Sequence, residues 1–249
     1  MADLFFNCGN IRTIPQFNTT NVTSMAETFY GCTNLSSIPL LDTSKVKDMS
    51  NTFMYCYSLR NIPLLDTSNV TSMNFTFGYC GITSIPLLNT SSVKDMTYIF
   101  NNCSNLKSVP LFDTSNISSM FCMFNFCYSL TSVPLFDTSN VVDMSRAFSF
   151  CNSLTGVPNF NTSSVTDMSF IFEGCSSLKK VNLFNTTNVT SVSGSYKDCV
   201  NVTGGTLSFY NQLTAQQNPP TGYTFCFKNC GKNTQTGSAE LNQIPSDWK

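Results

Sequence analysis

Cysteine recurs along this chain at a fixed interval. Cys8, Cys32, Cys56, Cys80, Cys103, Cys127, Cys151, Cys175 and Cys199 are spaced by 24 residues, with a single interval of 23 after Cys80. Other positions keep the same phase. An aromatic stands three residues before each of these cysteines, from Phe5 and Phe29 to Phe172 and Tyr196. A methionine stands seven before, from Met25 to Met168, and Val or Ile three before that. After Cys the unit runs Leu-x-x-Ile/Val-Pro-Leu-Leu/Phe-Asp/Asn-Thr-Ser. The short interval follows from Ile82, which lies two rather than three after its cysteine. A 24-residue unit closes no core alone, so its apolar positions are buried only by stacking on identical neighbours. The chain is therefore a solenoid. Nine to ten coils at about 4.8 Å each make a rod on the order of 45 Å long.

The proline of each coil removes a backbone donor and belongs at a strand end or corner. Asp/Asn-Thr-Ser suits the next corner, because short polar side chains satisfy local turn amides. The expected architecture is a mainly β, right-handed stack of 24-residue coils joined by short parallel strands. Residues 1–199 form the solenoid. After Val192 replaces the repeat methionine the pattern decays, so residues 200–249 are read as a degenerate last coil, holding Phe227 and Cys230, plus a C-terminal cap. Met1 lies seven before Cys8, so the sequence begins inside a coil. A piece of a longer repeat protein, an upstream domain, or a second copy is expected over that edge.

Composition excludes several functions. Only 11% of the residues are charged and the net charge is −1, so no basic field draws in nucleic acid or anionic lipid. Histidine is absent, which removes imidazole bases, triads and metal ligands. No run approaches the ~18 apolar residues of a membrane span. The N-terminus, MADLFFNCGN, has no signal-peptide pattern.

The segments MSNTFMYCYSLRNIPLLDTSNVTSM (49–73) and MFCMFNFCYSLTSVPLFDTSNVVDM (120–144) closely resemble the BspA-like leucine-rich repeats, over about residues 1–200. They are similar to the version found in surface proteins of firmicutes, mycoplasmas and gut bacteria, and to modules of phage virions. The resemblance implies a leucine-rich-repeat-like solenoid without enzymatic activity or cofactor, exposed on a surface and used in adhesion or recognition. The expected place is the bacterial cell surface or a virion, and the expected partner a protein or glycan.

Each conspicuous residue row has a plain reading beside the functional one. The repeat cysteines share the phase of Phe and Leu, which is the place of a small buried hydrophobe. Without histidine or a Cys-x-x-Cys pair, zinc has no ligand set. The row Asp42, Asp66, Asn89, Asp113, Asp137, Asn161 and Asn185 interchanges Asp with Asn, as corner hydrogen bonding tolerates and a calcium ladder does not. Residues flanking Cys point outward if the backbone is extended there. In the middle coils they are aromatic: Tyr55, Tyr79, Phe126 and Phe150 before, Tyr57 and Tyr128 after. That strip is the candidate binding face. Its alternative is a helical turn whose rings pack on neighbouring coils. The residue after Pro forms a second row, Leu40, Leu64, Leu87, Leu111, Leu135 and Leu183, with Gln16 and Asn159 in the same place, and is a candidate oligomer or domain contact. Two rival functions demand more of the pattern. A solenoid enzyme acting on polysaccharide needs carboxylates and bases breaking the pattern together, whereas Arg146 and Glu173 fall in different coils. An ice-binding face needs a flat, unbroken Thr rank, whereas the residues after Thr-Ser vary among Lys, Asn and Ser.

Overall fold

Each coil opens at its methionine with consecutive tight turns that run as far as the cysteine. In the computed structural model, which describes all 249 residues, Thr28, Tyr30 and Cys32 donate their N–H groups to the carbonyls three residues back. The intervening residues Met25, Glu27, Phe29 and Gly31 donate to Asp48, Ser50, Thr52 and Met54 of the next coil at 2.8–3.0 Å. Donors thus alternate between closing a turn and joining coils. This wall costs backbone strain, because the residues five and one before each repeat cysteine have positive φ. Most are not glycine: Tyr55 lies at 65°, Phe75 at 50° and Tyr79 at 58°. A left-handed non-glycine residue costs about 1 kcal/mol. The stacked hydrogen bonds on both sides hold it in place.

The strand expectation is modified by this geometry. A left-handed residue every fourth position interrupts any extended run, so the coils are joined by isolated parallel bridges rather than strands. The bridges fall one residue before each methionine, as in Ser24–Asp48–Ser72–Asp95 and Ser119–Asp143–Asp167–Ser191.

Inward side chains form one continuous core of 64 residues. Its axis is a column of rings from Phe5 to Tyr196, each stacked on the next at 5.3–5.7 Å. The cysteines line the core as free thiols, all buried except half-buried Cys8. Their role is more specific than filling. Cys32, Cys56, Cys103, Cys127, Cys151, Cys175 and Cys199 each donate Sγ–H to the carbonyl of the repeat aromatic one coil back, at 2.9–3.2 Å. That carbonyl already accepts an amide, so the thiol occupies its second lone pair without adding bulk. Cys80, in the short coil, reaches the carbonyl of Cys56 instead, at 3.5 Å. Burial pushes these thiols up, to about 12 for Cys80 and Cys175.

The corner chemistry matches the sequence reading. Asp42, Asp66, Asn89, Asp113, Asp137 and Asn161 all accept, through Oδ1, the amide and hydroxyl of the serine two residues on. The threonine between turns inward and donates to the next corner's carbonyl, as Thr43 does to Asp66 at 2.7 Å. Between the leucine after Cys and this corner, inward residues recur every third position (Leu35, Ile38, Leu41), as in polyproline II. Most coils are joined there by a single backbone bond, four residues after Cys, such as Ser36 to Arg12 at 2.9 Å and Thr131 to Lys107 at 3.1 Å.

At the C-terminal end residues 222–230 extend the turn wall, with Val192 and Tyr196 donating to Gly222 and Cys226. Helix α1 (Thr206–Thr214) buries Phe209 and Leu213, with Phe209 edge-on to Tyr196 at 5.5 Å, and α2 (Gln235–Asn242) packs on α1. A 3₁₀ turn (Ser246–Trp248) places Trp248 on Tyr223 and Phe227, and its carbonyl accepts the Phe227 amide. No helix is long and apolar enough to cross a membrane.

Candidate functional site

The aromatic candidates all lie on the turn wall, but not as an extended backbone would present them. Tyr55, Tyr79, Phe126 and Phe150 have positive φ, so their rings lie along the wall rather than standing out from it. All four are half-buried. Tyr55 packs on Tyr79 at 4.7 Å and Phe126 stacks on Phe150 at 4.8 Å. The Phe150 ring fills the place a side chain would take at Gly174, itself in the left-handed region. This corrects the outward orientation expected of an extended backbone, because the turns rotate these residues. Tyr57 and Tyr128 do face solvent, 50% and 43% exposed, and touch the stacked rings Tyr55 and Phe126 at 6.0 Å. The six residues therefore form two platforms, one around Tyr55, Tyr57 and Tyr79 and one around Phe126, Tyr128 and Phe150. Asn102 occupies the ring position between them. Burial raises the Tyr57 and Tyr79 phenols above their ordinary value, so both remain neutral hydrogen-bond donors at physiological pH.

Sequence reasoning missed a second aromatic column on the same wall. Phe75 stacks on Tyr98 at 4.1 Å, and Tyr98 meets Phe121 edge-on at 4.9 Å. The signal was available: Phe75 and Tyr98 lie five residues before their cysteines, the other left-handed position.

The structure also joins what the sequence separated. Glu173, its side chain 8% exposed, accepts Lys197 Nζ at 2.7 Å and Arg146 at 3.5 Å. The Arg146 guanidinium lies 4.3 Å over the Phe170 ring. Arg146 and Glu173 are thus partners across neighbouring coils. The lone carboxylate is engaged by two cations, which makes the trio a clamp between coils rather than an acid–base pair. No three or more Cys, Asp and Glu side chains converge in a metal-binding arrangement. The corner threonines that an ice-binding face would display are buried, Thr67 and Thr138 fully, and their hydroxyls are spent on carbonyls.

The leucine row forms a separate wall. Leu40, Leu64, Leu87, Leu111 and Leu135 are 58–62% exposed. Shallow grooves between successive leucines run down to the Asp/Asn corners, one of about 350 Å³ bounded by Leu40, Leu64, Asp42 and Asp66.

Comparison with known proteins bears on the fold. A leucine-rich repeat protein from Eubacterium ventriosum aligns with 68% of this chain and 54% of its own, at 18% identity and a TM-score of 0.50. The chain thus spans about half the length of that relative. A leucine-rich repeat protein from Bacteroides ovatus aligns over 100% of this chain and 85% of its own, at 16% identity and a TM-score of 0.45. No curated protein sequence matches. The likeness to the first of these supports a leucine-rich-repeat solenoid and speaks for the fold alone. The repeats themselves match one family in three overlapping stretches, residues 1–108, 60–155 and 128–218. Through these BspA-like repeats, the chain belongs to the family described as "Mycoplasma protein of unknown function, DUF285".

Proposed function

We propose that this chain is a non-catalytic recognition module that binds a protein or glycan through its turn wall. The observation that carries the reading is the pair of aromatic platforms, in which exposed Tyr57 and Tyr128 stand beside rings already fixed by stacking. Rings held this way offer a large contact area at little entropic cost, and their phenols supply donors beside it. Such a platform suits the apolar face of a sugar or an apolar protein segment. The stack's right-handed winding and its exposure on a bacterial surface or a virion appendage, both implied by the resemblance, belong to the same reading. The solitary, doubly paired Glu173 and the absence of histidine support binding over catalysis.

The experiment compares two double variants for attachment to bacterial cells and to immobilised glycans. Tyr57→Ser with Tyr128→Ser removes only exposed rings, so the melting temperature should stay within about 2 °C. Attachment should fall at least about ten-fold. Tyr79→Ser with Phe126→Ser breaks the stacked pairs and should lower the melting temperature as well. Undiminished attachment by the folded Tyr57/Tyr128 variant would overturn the proposal.

A further inference from the structure

Tyr57 and Tyr128 repeat one another's pose. Each stands one residue after its repeat cysteine, exposed, and meets the ring two residues before it at 6.0 Å, with interplanar angles of 54° and 57°. Three coil steps separate them, about 14 Å at ~4.8 Å per coil. The two coils between carry no ring at that position. Gly81 and Ser104 stand there, so the two phenols bound a saddle on the turn wall. No side chain fits at Gly81, because a Cβ would run into the Tyr57 carbonyl.

The floor of this saddle is polar and unpartnered, for a reason visible in the repeat. In two other coils the asparagine two residues after Cys donates to the carbonyl one coil back, Asn34 to Gly9 and Asn201 to Ser176, both at 2.7 Å. The matching acceptor for Asn105 is the Gly81 carbonyl, and Arg60 Nη1 holds it at 2.8 Å. Asn105 is left exposed without a partner, and half-buried Asn102 and Ser104 beside it also make no side-chain hydrogen bond within the chain. Arg60 is exposed, and its other N–H groups have no partner in the chain either.

We infer that the two platforms are the ends of one site, which takes an extended β-1,4-linked glycan chain lying along the solenoid axis. This rests on the turn wall being a recognition face, and it names what that face recognises. Both faces of such a ribbon are apolar C–H surfaces, and its rims carry hydroxyls that donate and accept. The chain advances by close to one coil step per sugar, so a tetrasaccharide is the shortest that reaches from Tyr57 to Tyr128. Its end sugars lie on the two rings, which supply apolar area at fixed positions. Its middle sugars cross Gly81 and Ser104, where no bulky side chain intrudes, with hydroxyls in reach of Arg60, Asn102 and Asn105. An apolar protein segment laid across the same saddle would strip water from these groups and leave them unpaired. A glycan replaces that water with its own hydroxyls.

The test is calorimetric titration of the intact chain with chito-oligosaccharides and cello-oligosaccharides, from the monosaccharide to the hexasaccharide. In one series or both, affinity should step up about ten-fold or more between the disaccharide and the tetrasaccharide, where one ligand first engages both rings. Tyr57→Ser and Tyr128→Ser, each alone, should remove the step with the melting temperature held within about 2 °C. Ser104→Leu, which sets a side chain in the saddle between two intact rings, should remove it as well. Affinity that is independent of chain length, or a step that survives Ser104→Leu, would overturn the spanning site. Absence of binding by both series, with cell attachment that still requires Tyr57 and Tyr128, would overturn the glycan and leave the recognition face standing. Attachment indifferent to both rings would remove the two together.

Discussion

Phe100→Ala probes the ring column at its middle. Phe100 is fully buried and stacks on Phe77 at 5.7 Å, Phe124 at 5.5 Å and Phe112 at 6.1 Å. Its amide and carbonyl bond to Met123 and to the Cys103 amide and Cys127 thiol, and the substitution leaves these in place. The loss is therefore one of packing. A phenylalanine buries roughly 200 Å² and alanine still buries roughly 70 Å², so ~130 Å² is lost, or ~3 kcal/mol at 25 cal/mol per Å². Broken ring pairs add about 1 kcal/mol. The expected cost is about 4 kcal/mol, within the usual span for a buried aromatic. Because each coil buries its face only against its neighbours, the damage should be regional. Denaturant melts give the total, and amide exchange gives its distribution. Protection should fall first at Phe77, Phe100 and Phe124 and least at Tyr196. A cost below about 1 kcal/mol, or uniform loss along the chain, would refute a nearest-neighbour core built on this column.

The thiols predict a stability curve. Burial raises the folded pKa values of the fully buried thiols above the ordinary 9.0, so their contribution is complete below pH 9 and is lost as pH rises toward the folded values, about 12 for Cys80, Cys175 and Cys230. Each such thiol removes about 1.4 kcal/mol per pH unit in that window, and the three together about 4 kcal/mol. The chain should unfold within about two pH units above 9, followed by circular dichroism and thiol titration, and a melting temperature unchanged to about pH 11 would contradict the buried ladder. At the corners, Asp137→Asn should change stability by less than about 0.5 kcal/mol, whereas Asp137→Ala should cost about 1 kcal/mol by orphaning the Ser139 amide and hydroxyl. Equal losses from both variants in denaturant melts would mean that the charge, not the hydrogen bonding, matters there.

Most of the architecture is legible in the sequence because a repeat states the same packing problem many times. The phase shared by Cys, Phe, Met and Leu marks the inward face, and the Asp/Asn-Thr-Ser triplet marks a corner whose bonds are local. Both features rest on residue type and spacing, which a single coil already contains. What lies between coils is a different matter. The sequence pattern is equally compatible with an extended or a turned segment before Cys, since both can point Phe and Cys inward. Only the stacked structure decides for turns, because left-handed residues as bulky as Tyr79 and Phe126 persist only when hydrogen bonds to both neighbours compensate the strain. That choice lays the ring strip down along the wall and leaves Tyr57 and Tyr128 as its exposed members. The pairing of Arg146 with Glu173 is likewise invisible along the chain, since 27 residues separate partners that stacking brings to 3.5 Å. The sequence by itself determined which residues face the core and where each coil bends, through local chemistry repeated in phase. The tertiary structure alone decided which outward residues meet, because that depends on the backbone conformation the neighbouring coils impose.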